Sequence, residues 1–143
     1  MKITIVGSGY VGTSIGTILS QYNEVTILDI SQEKVDLINN KKSPIQDSLI
    51  DQYLKSGNIK ATTNKDQAYK DAEYIVIAVP TDYNAEMNYF NTSLIEKVLL
   101  DIKKFSTKTT IIIKSTIPVG YVKNISTKMN MNNIIFSPEF LRE

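Results

Sequence analysis

Short, uninterrupted runs of apolar and β-branched residues punctuate the chain at positions 3–6, 25–28, 74–79, 109–113 and 134–136, with a weaker one at 59–62. Runs of this kind, bounded by polar or glycine-bearing stretches, predict strands buried on both faces rather than on one. Between them, apolar positions recur with helical period over 11–19, 33–38, 48–54, 94–102 and 119–129. Strand and helix alternate almost throughout. That alternation predicts an α/β fold: a Rossmann-type, doubly wound, mostly parallel sheet of about six strands with helices on both faces. Local signals sharpen the helix limits. Ser31 is placed to cap the helix at 33–38, with Ile30 before it set to staple against Val35, and Pro118 suits the first turn of the last helix. Stretches 39–47 and 81–92 are polar and read as loops, and the second is long enough to suggest a functional role.

Composition narrows what such a domain does. With 143 residues, 42% of them apolar and 22% charged, the chain has the size and make-up of one folded domain spanning 1–143. Sixteen basic side chains balance fifteen acidic ones, leaving a formal charge of +1 and no basic stripe for a nucleic-acid backbone. The apolar start is broken by glycine within a few residues, so no signal peptide or membrane span is expected and the cytoplasm is the default location. The chain has no Cys and no His, which removes disulfides, zinc fingers, thiol nucleophiles and histidine acid–base catalysis, and no metal site is expected. No Tyr is followed four residues later by Lys, so the short-chain reductase pairing is absent too. Redox chemistry served by this domain would be completed elsewhere.

Gly7-Ser8-Gly9-Tyr10-Val11-Gly12 has the spacing G-x-G-x-x-G and stands between the first strand and the first helix. In that context Gly7 permits the tight turn, Gly9 admits a pyrophosphate close to the backbone, and Gly12 lets helix and strand pack closely. Phosphates would rest on the helix N-terminus, where each exposed dipole contact contributes only about 0.3–1 kcal/mol and several amides must act together. Asp29 follows 22 residues after Gly7, at the end of the second strand, where a carboxylate can accept hydrogen bonds from the adenosine ribose. A 2′-phosphate about 4 Å from Asp29 would meet a like charge costing ~4 kcal/mol at an effective dielectric near 20, so NAD is favoured over NADP. Lys34, one turn into the next helix, would offset part of that repulsion or contact the ribose, or else stand as an ordinary solvated lysine.

The remaining candidates stand where strands end. Ligands of open α/β sheets bind beyond the carboxyl ends of the strands, so Pro80-Thr81, Lys114-Ser115-Thr116 and Ser137-Pro138-Glu139 should converge on one crevice. Thr81 and Thr116 would bring hydroxyls to the nicotinamide half of the cofactor, and Glu139 or Glu143 a carboxylate. Taken singly, each is also a residue type common in loops.

At Lys114-Ser115-Thr116-Ile117-Pro118-Val119-Gly120 and Phe136-Ser137-Pro138-Glu139-Phe140-Leu141-Arg142-Glu143 the chain resembles the UDP-glucose/GDP-mannose dehydrogenase family. The glycine motif, Asp29, Ser43-Pro44-Ile45 and Pro80-Thr81 fall in the same order and spacing, so the resemblance spans essentially the whole chain. It implies an enzyme that oxidises the C6 alcohol of UDP-glucose to a carboxylate with two NAD, through an aldehyde and a cysteine thioester. It further implies that Gly7, Gly9, Tyr10, Val11, Gly12, Asp29, Lys34, Thr81 and Thr116 hold the cofactor. Thr116 and Glu143 would border the reacting centre and position the hydrolytic water, while Glu139, Phe140, Leu141, Arg142 and Glu143 would approach the sugar nucleotide. An oriented, partly deprotonated water is what thioester hydrolysis needs. The family's nucleophilic Cys, its Lys and Asn, its central helix and its UDP-sugar domain are expected beyond residue 143, in a longer enzyme that is a homodimer, with this portion alone a monomer. Relatives acting on GDP-mannose or a UDP-N-acetylated sugar share the same cofactor half. A β-hydroxyacid-type dehydrogenase with a downstream Lys, or a free-standing NAD-binding module without catalysis, are the alternatives outside the family's chemistry.

Overall fold

The computed structural model describes residues 1–86, 89–105 and 108–139. Along the chain run β1 (Lys2–Val6), α1 (Tyr10–Leu19), β2 (Glu24–Leu28), α2 (Gln32–Asn39), α3 (Ser48–Ser56), β3 (Ile59–Thr62), α4 (Lys65–Tyr69) and β4 (Tyr74–Ile77). They are followed by a small hairpin, β5 (Tyr83–Asn84) and β6 (Tyr89–Phe90), and then by α5 (Ser93–Phe105), β7 (Thr110–Ile113), α6 (Tyr121–Met129) and β8 (Ile134–Phe136). Six strands form one parallel sheet in the order β3-β2-β1-β4-β7-β8, as the alternating pattern predicts. The chain builds outward from β1 in one direction, returns, and builds outward from β4 in the other, so the order reverses between β1 and β4.

Strands that are apolar at odd and even positions alike need cover on both sides, and the core divides accordingly. On one face Ile3, Ile5, Val25 and Ile27 pack with Val35 and Ile38 of α2 and Ile50 and Leu54 of α3. On the other, Val6, Leu28, Ile75, Ile77, Ile111 and Ile113 pack with Tyr69 of α4, Ile95, Leu99 and Ile102 of α5, and Ile125 of α6. Each such isoleucine or leucine contributes about 1.5–3 kcal/mol by leaving water, so the two faces hold the sheet and its crevice as one unit. Among the described residues no helix is long and apolar enough to cross a membrane.

Several local expectations are corrected. Ser31 does cap α2, accepting from the Lys34 amide at 3.4 Å, but Ile30 is 98% exposed and makes no staple with Val35. Asp29 Oδ1 accepts the Ser31 amide at 2.9 Å, and this tight Asx turn throws the intervening side chain outward. Pro118 lies before the helix instead of in its first turn: Gly120, at φ +80°, caps α6, and the Tyr121 amide donates to the Pro118 carbonyl at 3.1 Å. The left-handed Gly120 cannot belong to a right-handed helix, so α6 starts after it. The polar loop at 81–92 contains the β5–β6 hairpin, and the ladder of β4 stops at Ile77, two residues short of the apolar run. Helix α4 was not expected at all; it is a single short turn capped by Asn64, whose side chain accepts from the Gln67 amide at 3.1 Å.

Candidate functional site

The reversal point between β1 and β4 opens into a crevice of about 690 Å³ beyond the carboxyl ends of the strands. Its first wall is the glycine loop. Gly7 holds φ +102°, and a Cβ there would stand 2.5 Å from the Ala78 carbonyl oxygen on the neighbouring strand's exit. At Gly12 a Cβ would overlap the carbonyl of Gly7 itself, so the first turn of α1 can close on the loop only without a side chain. Gly9 differs from both: a Cβ added there meets nothing within 4 Å, because its α-carbon faces the open crevice. Gly9 is also the N-cap of α1 and caps it with no side chain. The first-turn amides, including those of Tyr10 and Val11, have no partner inside the helix and stand beside this opening, which is the arrangement that receives an anion.

Asp29 stands at the end of β2 against that loop. Its Oδ2 accepts the Ser8 amide at 2.7 Å and the Ser8 hydroxyl at 2.5 Å, and its Oδ1 accepts the Ser31 amide. Partial burial pushes the carboxyl up, but the Ser8 hydroxyl, the Ser31 and Ser8 amides and the charge of Lys34 together outweigh it and hold the group below the usual aspartate range. Asp29 is therefore an anion at neutral pH. Lys34, half-buried on α2, lines the same wall.

The second wall is built from the ends of β4, β7 and the segment after β8. Ser115, buried, donates its hydroxyl to the Val79 carbonyl at 2.7 Å, and the Lys114 and Ser115 amides both reach the Ile77 carbonyl, at 2.8 and 3.3 Å. These bonds tie the β7 exit to the β4 exit and set Thr81 and Thr116 on the same crevice, Thr116 exposed and Thr81 half-buried. Lys114 crosses to the segment after β8, pairing with Glu139 at 3.2 Å and donating to Ser137 Oγ at 3.3 Å. Glu139 thus reaches the crevice as expected, but already engaged by a cation. Phe140, Leu141, Arg142 and Glu143 lie outside the described residues.

Sequence reasoning missed part of the lining. Ile30 after β2 and Leu94 and Val98 of α5 give the crevice apolar lining, and Lys65 of α4 and Lys97 and Asp101 of α5 also stand along it. Asp101 takes Lys65 at 2.6 Å and Lys104 at 3.1 Å. The exposed Ile30 directly after Asp29 was the available signal; α4 and α5 carried none, because their approach to the crevice depends on the sheet order.

A parallel sheet of this order, a glycine turn opening onto a helix N-terminus, and an anchored carboxylate at the end of the next strand together define a Rossmann-type dinucleotide-binding domain. The described NAD-binding domain of the UDP-glucose/GDP-mannose dehydrogenase family matches residues 1–143, and the chain belongs to that family. It is 51% identical to UDP-glucose 6-dehydrogenase of Campylobacter jejuni and 48% identical to that of Streptococcus pneumoniae, in each case over all of this chain and 37% of the relative. Among solved structures it is similar to GDP-mannose dehydrogenase from Pseudomonas aeruginosa, determined as a ternary complex, with a TM-score of 0.87 and 30% identity. That match also covers all of this chain and 37% of the other. The chain thus spans a little over a third of the length of these relatives, and the cofactor of the domain is NAD.

Proposed function

We propose that this chain is the cofactor-binding part of a UDP-glucose 6-dehydrogenase. The whole enzyme would oxidise UDP-glucose to UDP-glucuronate with two NAD, through a thioester on a cysteine outside residues 1–143. The observation that carries this assignment is the identity of 51% and 48% to two UDP-glucose 6-dehydrogenases, against 30% to the GDP-mannose enzyme.

The crevice fits the cofactor. The side-chain-free opening at Gly9 and the free amides of the α1 first turn suit a pyrophosphate, Asp29 and Lys34 suit the adenosine ribose, and Ile30, Leu94 and Val98 offer apolar surface for a base. NAD, when bound, supplies the hydride acceptor. Thr81 would hold the cofactor's nicotinamide-side ribose and phosphates, and the exposed hydroxyl of Thr116 would serve both cofactor and reacting centre. There Thr116 would orient the water that hydrolyses the thioester, with Glu143 accepting its proton. Glu139, Phe140, Leu141 and Arg142 would lead the chain toward the sugar nucleotide, with the Lys114 ion pair fixing the start of that segment. The complete protein would act as a homodimer in the cytoplasm, where NAD and nucleotide sugars are made, and the 1–143 portion by itself would be monomeric.

The test is the stoichiometry of the full-length protein on defined sugars. Incubated with UDP-glucose and excess NAD, it should form two NADH per sugar consumed, with UDP-glucuronate as product. Turnover of GDP-mannose or UDP-N-acetylmannosamine in preference to UDP-glucose would reassign the substrate within the family. One NADH per sugar, with no acid formed, would remove the thioester route.

A further inference from the structure

A carboxylate offers about four lone-pair positions, and Asp29 has three of them filled by its own chain. Both donors on Oδ2 come from one residue, Ser8, whose amide and hydroxyl converge on the same oxygen. Ser8 is fully buried, and its carbonyl accepts the Thr13 hydroxyl at 3.0 Å, so the residue is fixed from the helix side as well. Oδ1 holds the Ser31 amide and has one position left. Ser8 occupies a variable place in the glycine motif, where the turn itself asks for nothing beyond a small side chain.

Taking the crevice as an NAD site, we propose that Ser8 is a positioning residue that sets cofactor preference through Asp29. Its amide and hydroxyl hold one carboxylate oxygen in place, so Asp29 meets the adenosine ribose as a fixed anion with a single free acceptor position. One ribose hydroxyl satisfies that position. A 2′-phosphate has no hydroxyl at that carbon to donate and adds a like charge to a carboxylate that cannot turn away. Removing the Ser8 hydroxyl leaves the amide and the turn intact but takes one of two restraints from Oδ2 and one stabilising donor from the anion.

The experiment is calorimetric titration of the full-length protein with NAD and NADP over a range of pH, for the wild type, Ser8→Ala, Ser8→Gly and Asp29→Ala. Ser8→Ala should weaken NAD about fivefold near pH 7.5, reduce the NAD-to-NADP preference by a similar factor, and start the acid-side loss of NAD affinity at a higher pH than in the wild type. Ser8→Gly, a second way to remove the hydroxyl, should do the same. A Ser8→Ala protein with the wild-type acid limb and the wild-type preference overturns the role of Ser8. Asp29→Ala separates the two levels. If it abolishes the preference while Ser8→Ala does not, Ser8 alone is wrong; if it leaves both affinities unchanged, the placement of the ribose against Asp29 is wrong and Ser8 falls with it.

Discussion

The two walls of the crevice are made in different ways. The glycine-loop wall is set by close approach of backbone to backbone: Gly7 against Ala78 and Gly12 against Gly7, with no room for a single carbon. The opposite wall is set by side chains reaching between strand ends, through Ser115 to Val79 and Lys114 to Glu139. A steric wall has one arrangement, whereas a wall held by an ion pair and hydroxyls can exchange its partners for those of a ligand. In the proposed enzyme the first wall would hold the adenosine and pyrophosphate side of the cofactor, and the second, which carries Thr81 and Thr116, would face its nicotinamide half and the substrate.

The contrast breaks most visibly at the steric wall. Gly12→Ala should cost about 3 kcal/mol or more, because the new carbon overlaps a backbone carbonyl that cannot yield, lowering the melting temperature by roughly 10 °C. A melting temperature unchanged from the wild type would show that the loop has slack. Asp29→Ala should leave the fold standing but weaken NAD by about 30-fold, roughly 2 kcal/mol, and bring NAD and NADP close to parity in calorimetry. On the second wall, Lys114→Ala should cost about 1 kcal/mol in chemical denaturation and change NAD affinity less than about twofold, since it frees Glu139 without touching the glycine loop. A large loss of NAD affinity there would mean that the walls are not independent.

The smallest effect belongs to Asp101. The Lys65 ammonium hydrogen-bonded to it lowers its carboxyl, against some desolvation, and Lys104 adds to the lowering. A depressed folded-state value means that the stability Asp101 contributes is fully present above the ordinary aspartate value of about 3.9 and is lost as pH falls through the lower folded one. Lys65 is more than half exposed, so Asp101→Asn should cost only about 0.5 kcal/mol at neutral pH, with the two stability curves converging in acid. Curves that stay parallel into acid would mean that the charge of Asp101 is not what matters.

Much of this architecture was legible in the chain because buried parallel strands leave a direct mark. Val25, Ile27, Ile75, Ile77, Ile111 and Ile113 are apolar in runs for the physical reason that helices cover both faces. The glycine loop and Asp29 were legible for a similar reason: they sit on consecutive elements, with a spacing the geometry of β1, α1 and β2 dictates. What escaped depended on partners far apart. That Lys114 and Glu139 reach one crevice was expected from the strand ends, but their ion pair was not, because it forms only once β7 and β8 lie side by side. Helix α4 is five residues long, too short to show a period. Ser8 was hidden as a free position in a motif, and Ile30 looked like a staple because the Asx turn that expels it depends on a side-chain acceptor, not on hydrophobic pattern.

The sheet order also has a kinetic meaning. β1 meets β2 across one helix, with Lys2 opposite Glu24, but it meets β4 with Ile3 opposite Tyr74, after β2, β3 and three more helices have intervened. Contacts so distant along the chain close a long loop before they return any energy, so pairing of the halves should lag behind formation of each. The crevice does not exist until that seam is closed. In refolding from denaturant, far-ultraviolet circular dichroism should therefore recover before the capacity to bind NAD, and simultaneous recovery would mean that the seam forms together with the halves. Binding competence then marks the last event of folding, and the cofactor, by associating only with the closed seam, pulls the finished chain away from its half-assembled forms.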